Sequence, residues 1–177
     1  MRVFLTGGSG FVGGHLIETL VAAGHPVRAM ARSERAVVAV ERLGATAVRC
    51  SLDGVRAENL AGCDAVVHSA AFVEEFGPRE AFWRANVQGT ENLMVAARGA
   101  GVPRFVHIST EMVLFDGSPL IDVDEDTPYP ATNPFLYGET KRVAEEKVLA
   151  GNANGLTTIV LRPRLVWGPR DATILPA

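Results

Sequence analysis

Six short apolar runs rich in β-branched residues recur along the chain, most of them separated by longer segments of helical period, and this alternation most narrows the folds open to it. The runs are Arg2–Leu5, Val27–Met30, Ala45–Arg49, Ala65–His68, Arg104–Ile108 and Thr157–Leu161. Strands joined by helices are the βαβ units of a parallel sheet, so the pattern predicts an α/β, doubly wound architecture. Helices are expected over about Phe11–Ala23, Glu34–Leu43, Arg79–Ala100 and Pro134–Ala150, with a short helix or turn near Val55–Leu60. Gly24 and Gly44 stand just past the first two, where C-caps prefer glycine. Asn133-Pro134 supplies an N-cap and a first helical residue for the last.

At ~100–200 residues per domain, 177 residues make about one domain. Against 20 acidic groups, the 17 Lys and Arg leave a net charge of −3, with no surplus to condense on a phosphate backbone, which argues against nucleic acid as the main partner. No apolar run approaches the ~18 residues of a membrane span, and Val3–Leu5 is too short for a signal-peptide core, so a cytoplasmic protein is expected. Cys50 and Cys63 have no CxxC or His-rich neighbourhood and read as inert thiols; His15, His25, His68 and His107 show no metal-ligand spacing. The stretch Asp116–Thr132 holds five acidic residues and four Pro or Gly without periodicity and reads as a surface loop. It follows the fifth strand, and loops at the carboxyl ends of parallel strands border the ligand crevice.

Three local patterns carry chemistry. Gly7-x-x-Gly10-x-x-Gly13, with Phe11 and Val12 inside it, lies between the first strand and first helix, where glycines let a pyrophosphate approach the helix N-terminus. At the end of strand two, Ala31 stands where an NAD site places a carboxylate, and Arg32-Ser33 follows, a cation and a hydroxyl suited to a 2′-phosphate, with Arg35 nearby. The cofactor indicated is NADP, with a permissive NAD site as the alternative. Tyr137-x-x-x-Lys141 puts a phenol and an ammonium one helical turn apart, a pair in which the cation favours the phenolate. With two Tyr and two Lys in the chain, chance would give this pair roughly 0.02 times, against the false positives common to short motifs. Ser109-Thr110 closes strand five with hydroxyls able to bond a substrate oxygen.

Taken in order with Asn86-Val87-Gln88-Gly89-Thr90 and Arg162-Pro163, these motifs resemble the extended short-chain dehydrogenase/reductase superfamily, the NAD-dependent epimerase/dehydratase family. Phe115-Asp116-Gly117, Asp124–Pro130 and Arg162–Asp171 are similar to its 3β-hydroxysteroid dehydrogenase-like branch. The resemblance implies a Rossmann sheet of order 3-2-1-4-5-6 and an enzyme that passes hydride between NADP(H) and a secondary alcohol or ketone, steroid-like or otherwise apolar. Tyr137 would be the acid/base, Lys141 would lower its pKa and hold the ribose, Thr110 with Ser109 would orient the reacting oxygen, and Asn86 would support the site. Ser51 and Leu52 would stand near the adenine, Ala70 and Ala71 would let the cofactor pass, and Pro163 to Val166 would border the nicotinamide. Ser51 replaces an Asp common at its position. Leu165 replaces an Asn common in nucleotide-sugar epimerases and dehydratases, which counts against that alternative; the Tyr-Lys pair counts against a non-catalytic NADP-binding module. The family continues past Pro176-Ala177 with a substrate region, so residues 1–177 are expected to be the NAD(P)-binding domain alone. Its uncovered apolar surface would favour a homodimer.

Overall fold

The computed structural model describes residues 1–74 and 76–171; the end of the sequence at Pro176-Ala177 lies outside them. The strands are β1 Val3–Thr6, β2 Val27–Ala31, β3 Thr46–Arg49, β4 Ala65–His68, β5 Arg104–Ile108 and β6 Thr157–Leu161. They form one parallel sheet of order β3-β2-β1-β4-β5-β6, the doubly wound order expected. The switch point falls between β1 and β4, at whose carboxyl ends such sheets bind ligands.

Alternate side chains of each strand feed two cores. Leu5, Ala29 and Ala31 pack with Ile17 of α1 (Phe11–Ala22) and with Val37 and Val40 of α2 (Glu34–Arg42). On the other face Phe4, Val66 and Phe105 pack with Leu93, Met94, Ala96 and Ala97 of a helix over Gly89–Gly99 and with Val148 of the last helix. Cys63 is buried and Cys50 half-buried, both free, and burial pushes both thiols up. No helix among the described residues is long and apolar enough to cross a membrane.

Three local departures from expectation matter for the site. The helix expected over Arg79–Ala100 is composite: α3 Arg79–Phe82, a π-helical stretch Trp83–Gln88, then α4 Gly89–Gly99. Widening the turn brings Asn86, 2% exposed, into the interior, as π-turns often do at functional sites. A 3₁₀ turn at Glu111–Leu114 follows β5, capped by Thr110, whose hydroxyl accepts from the Met112 amide at 3.2 Å. The last helix, α5, spans Leu136–Ala150 and starts two residues later than Pro134, because the Asn133 side chain closes a turn ahead of it. Its Oδ1 accepts from the Phe135 amide at 3.0 Å and its Nδ2 donates to the Met112 carbonyl at 2.7 Å.

Candidate active site

Gly7 leaves β1 with φ +76°, and the Gly10 amide turns back to its carbonyl at 3.0 Å. A Cβ on Gly13 would lie 2.1 Å from that carbonyl oxygen, so only glycine lets the first turn of α1 press against the loop. Gly10, the N-cap of α1, has no side chain to occupy the helix's free amides. Above this turn runs a cleft of about 810 Å³, within the range of ligand pockets. Gly7, Gly10, Phe11, Val12 and Gly13 line one wall, Arg32 stands at the β2 end, and Ser51 with Leu52 at the β3 end. Ala70 and Ala71 form the β4 side. Arg32 is exposed and makes no ion pair among the described residues, so its charge is free for an incoming anion. Ser33 caps α2 instead, its hydroxyl accepting from the Ala36 amide at 3.2 Å.

Among the described residues, those lining this cleft do not include Tyr137, Lys141, Pro163 or Val166. Pro163 uses its carbonyl on the Glu111 amide at 3.3 Å, and Val166 is exposed. Beyond them the chain returns to α1, where the Pro169 carbonyl meets His15 Nε2 at 2.9 Å and Arg170 pairs with Glu18.

Tyr137 sits on the first turn of α5, beside the Thr110 turn, because Gly138 allows that approach: a Cβ there would be 2.5 Å from Asn133 Nδ2 and 2.6 Å from the Met112 carbonyl oxygen. Burial pushes the Tyr137 phenol above its ordinary range, and the Thr110 hydroxyl pulls the other way. The lowering expected from Lys141 is not what this geometry produces. Lys141, 2% exposed, donates from Nζ to the Ile108 carbonyl at 2.7 Å and meets His107 Nε2 at 3.1 Å. Burial brings its own pKa down to about 7, against the opposing pull of Glu145.

Ser109 is also differently employed. Its hydroxyl donates to Glu145 Oε2, while Glu145 Oε1 accepts from Tyr129 at 2.8 Å and from Arg162 Nε at 2.8 Å. Glu145 is fully buried and ties β5, α5, the acidic loop and the end of β6 together, leaving Thr110 as the hydroxyl on the Tyr137 side. Asn86 is a joint: it accepts from the Phe72 amide at 2.7 Å, donates to the Phe72 carbonyl at 3.1 Å, and reaches Thr140 Oγ1 at 3.1 Å. It thereby fixes the chain leaving β4 against the residue before Lys141. The loop over Asp116–Thr132 is mostly exposed, as expected, with Tyr129 as its anchor.

The family model for 3-beta hydroxysteroid dehydrogenase/isomerases matches residues 4–177. The chain belongs to that family. As a member of the 3-beta hydroxysteroid dehydrogenase/isomerase family it is 48% identical over 179 residues, 99% of its length and 53% of the relative's, to the 4-hydroxy-2-methyl-3-oxo-4-farnesyl-3,4-dihydroquinoline-1-oxide ketoreductase of Stigmatella aurantiaca. It is 37% identical to the 2-alkyl-3-oxoalkanoate reductase of Stenotrophomonas maltophilia, over 99% of this chain and 54% of that protein. The chain thus spans about half the length of the curated relatives it matches. Among solved structures, a double mutant of the dTDP-glucose 4,6-dehydratase DesIV from Streptomyces venezuelae, with NAD and DAU bound, superposes with a TM-score of 0.85 at 27% identity. That match covers 99% of this chain and 60% of the other.

Proposed function

We propose that this family member serves an NADP(H)-dependent oxidoreductase that interconverts a ketone and a secondary alcohol on an apolar substrate, steroid-like in size and polarity. The observation that carries the reading is the pairing of a glycine-floored cleft, bordered by the unpaired Arg32, with Tyr137 on the first turn of α5 beside Thr110 at the end of β5. The cleft suits the phosphates and ribose of a nicotinamide dinucleotide: Gly7, Gly10 and Gly13 line it without side chains, and the N-terminal turn of α1, whose N-cap Gly10 leaves its amides uncapped, borders it. When bound, that cofactor supplies hydride exchange with carbon.

The chain's own residues do the remaining work. Burial holds Tyr137 as the neutral phenol, the form that gives a proton to a ketone oxygen. The Thr110 hydroxyl accepts from the Met112 amide and turns its proton to the Tyr137 side, where it would orient the substrate oxygen beside the phenol. Lys141 presents a positive charge to the ribose, and Arg32 selects the 2′-phosphate. Keto substrates also feature in the names of the ketoreductase and the 3-oxoalkanoate reductase relatives, which supports the reductase reading over a nucleotide-sugar epimerase or dehydratase; Leu165 and Arg32 count the same way. A non-catalytic binding module would have no use for the Tyr137-Lys141 pair. Half-exposed Ile159 and Leu161 on β6 support self-association, which sedimentation as a strict monomer would refute.

The test is turnover of an apolar ketone with NADPH by the complete enzyme. Tyr137→Phe is expected to lower kcat at least ~100-fold, the usual size of acid/base catalysis. Near-normal turnover would remove Tyr137 from the chemistry.

A further inference from the structure

The register of the sheet lines up a polar row that crosses the whole switch point. Phe4, Val66 and Phe105 are register partners on β1, β4 and β5 and form an apolar row. Two residues further along the same face, Thr6, His68 and His107 are partners in turn, each no more than 1% exposed. The row runs from the residue before the glycine turn to Lys141.

Its hydrogen bonds fix the histidine tautomers by elimination. Thr90 Oγ1 donates to the Asn86 carbonyl at 2.6 Å, so it accepts from His68 Nε2 at 2.9 Å. His68 Nδ1 is then an acceptor for Thr6 Oγ1 at 2.7 Å, which itself accepts from the Ala70 amide at 3.2 Å. Every polar atom of His68 is satisfied. His107 differs: Lys141 meets its Nε2, and its Nδ1 is buried with no partner among the described residues. With Lys141 in its ammonium form, a proton on Nε2 would face it donor to donor, so in that form the proton belongs on Nδ1, where no described residue receives it. A buried donor left unpaired is costly, and the arrangement makes sense only if the acceptor turned to Lys141 is what the site needs.

We propose that His107 is the positioning residue for Lys141: its Nε2 accepts one Nζ hydrogen while the Ile108 carbonyl accepts a second, leaving the third for a ligand. That last clause rests on the function proposed above; the positioning does not. The titratable groups around Lys141 are His107 from β5 with His68 of β4 behind it, and Tyr137 and Glu145 one turn to either side on α5. Arg162 and Tyr129 engage Glu145 from the end of β6 and the acidic loop. Burial and the neighbouring cation hold both imidazoles neutral at physiological pH, His68 down to about 3 and His107 well below its ordinary value.

The chain contains only Lys141 and Lys147, so lysine-labelled protein gives two side-chain signals that can be titrated by NMR without cofactor or turnover. Lys147, on the outer surface with Glu91 at 2.6 Å, is the internal reference. In the wild type the Lys141 signal is expected to titrate near pH 7. His107→Phe removes the acceptor and should move that midpoint down by about one pH unit or more, a tenfold fall in the ratio of ammonium to amine, while His107→Gln, whose amide oxygen can accept, should restore most of it. An unmoved midpoint in His107→Phe, or an equal shift in both variants, would overturn the proposal. The imidazole ¹⁵N spectrum of the wild type decides the matter even should the Phe variant not fold: a proton on His107 Nδ1 and on His68 Nε2 is expected, and a proton on His107 Nε2 refutes it. Failure of cofactor to bind would sink the proposed function and leave both readouts standing.

Discussion

Replacing Lys141 by Met should change how the chain's stability depends on pH, by an amount the structure sets. In the fold the ammonium is buried and its pKa is about 7, against an ordinary 10.5 once the chain unfolds. The folded pKa is the lower one, so between these values the unfolded chain binds the extra proton, and stability must rise with pH through the window. Each pH unit inside it contributes about 1.4 kcal/mol. Allowing for half-titration at the lower end, the wild type should gain about 3 kcal/mol between pH 7 and pH 9.5 from this group alone. Met fills a similar volume and cannot titrate. Urea unfolding of both chains at pH 7, 8 and 9.5 isolates the effect, because groups common to the two cancel in the difference of slopes. The account predicts curves that converge or diverge by about 3 kcal/mol over the window, with the wild type gaining on the variant as pH rises. Parallel curves would show that Lys141 is not held in the dry pocket between His107 and Ile108, and the argument for its positioning would fall with them.

Other perturbations follow from the same contacts. Gly138→Ala forces a Cβ to within 2.6 Å of the Met112 carbonyl oxygen and should cost about 1–3 kcal/mol in a thermal melt, with the Tyr137 turn displaced; a melt unchanged from wild type would show that α5 does not approach the turn so closely. Glu145→Ala leaves Arg162, Ser109 and Tyr129 without their shared acceptor and should cost about 3 kcal/mol in urea unfolding, whereas Tyr129→Phe, losing one of those bonds, should cost about 1. Equal losses would refute Glu145 as the hub. Arg32→Ala should weaken NADPH about tenfold or more while leaving NADH nearly unchanged, as expected for one charge-assisted phosphate contact; equal weakening of both would remove Arg32 from 2′-phosphate recognition.

What could be read from the sequence was what depends on near neighbours. Six β-branched runs gave strands within a residue or two of their ends, and their alternation with helices pointed to a parallel doubly wound sheet, while the order of its strands came from the family resemblance. The glycine spacing placed the turn, and residues as far apart as Arg32, Ser51 and Ala70 came to the same cleft since all follow strand ends. What stayed hidden depends on register and on packing between distant elements. His68 and His107 look scattered at 39 residues' separation, and only the β4–β5 register makes them neighbours with ring centroids 5.2 Å apart. Glu145, four residues after Lys141 on a helix of mixed polarity, reads as a surface acid until Ser109, Tyr129 and Arg162 converge on it. The π-helical turn has no marker in local propensity, since Trp83–Gln88 is helical by any pattern; it is the interior bonds of Asn86 that hold it open. Ser109 and Thr110 are alike in sequence, and extended backbone sends them to different sides, one into the Glu145 cluster and one beside Tyr137.

Calorimetric titration of the 177-residue chain with NADPH and, separately, with NADH tests the central claim most directly. The account predicts saturable binding of both to the glycine-floored cleft, with NADPH the tighter through Arg32. No binding of either nucleotide by a chain that is folded would contradict it, and would make the Gly7 turn a device for packing α1 against the sheet rather than a site for phosphate.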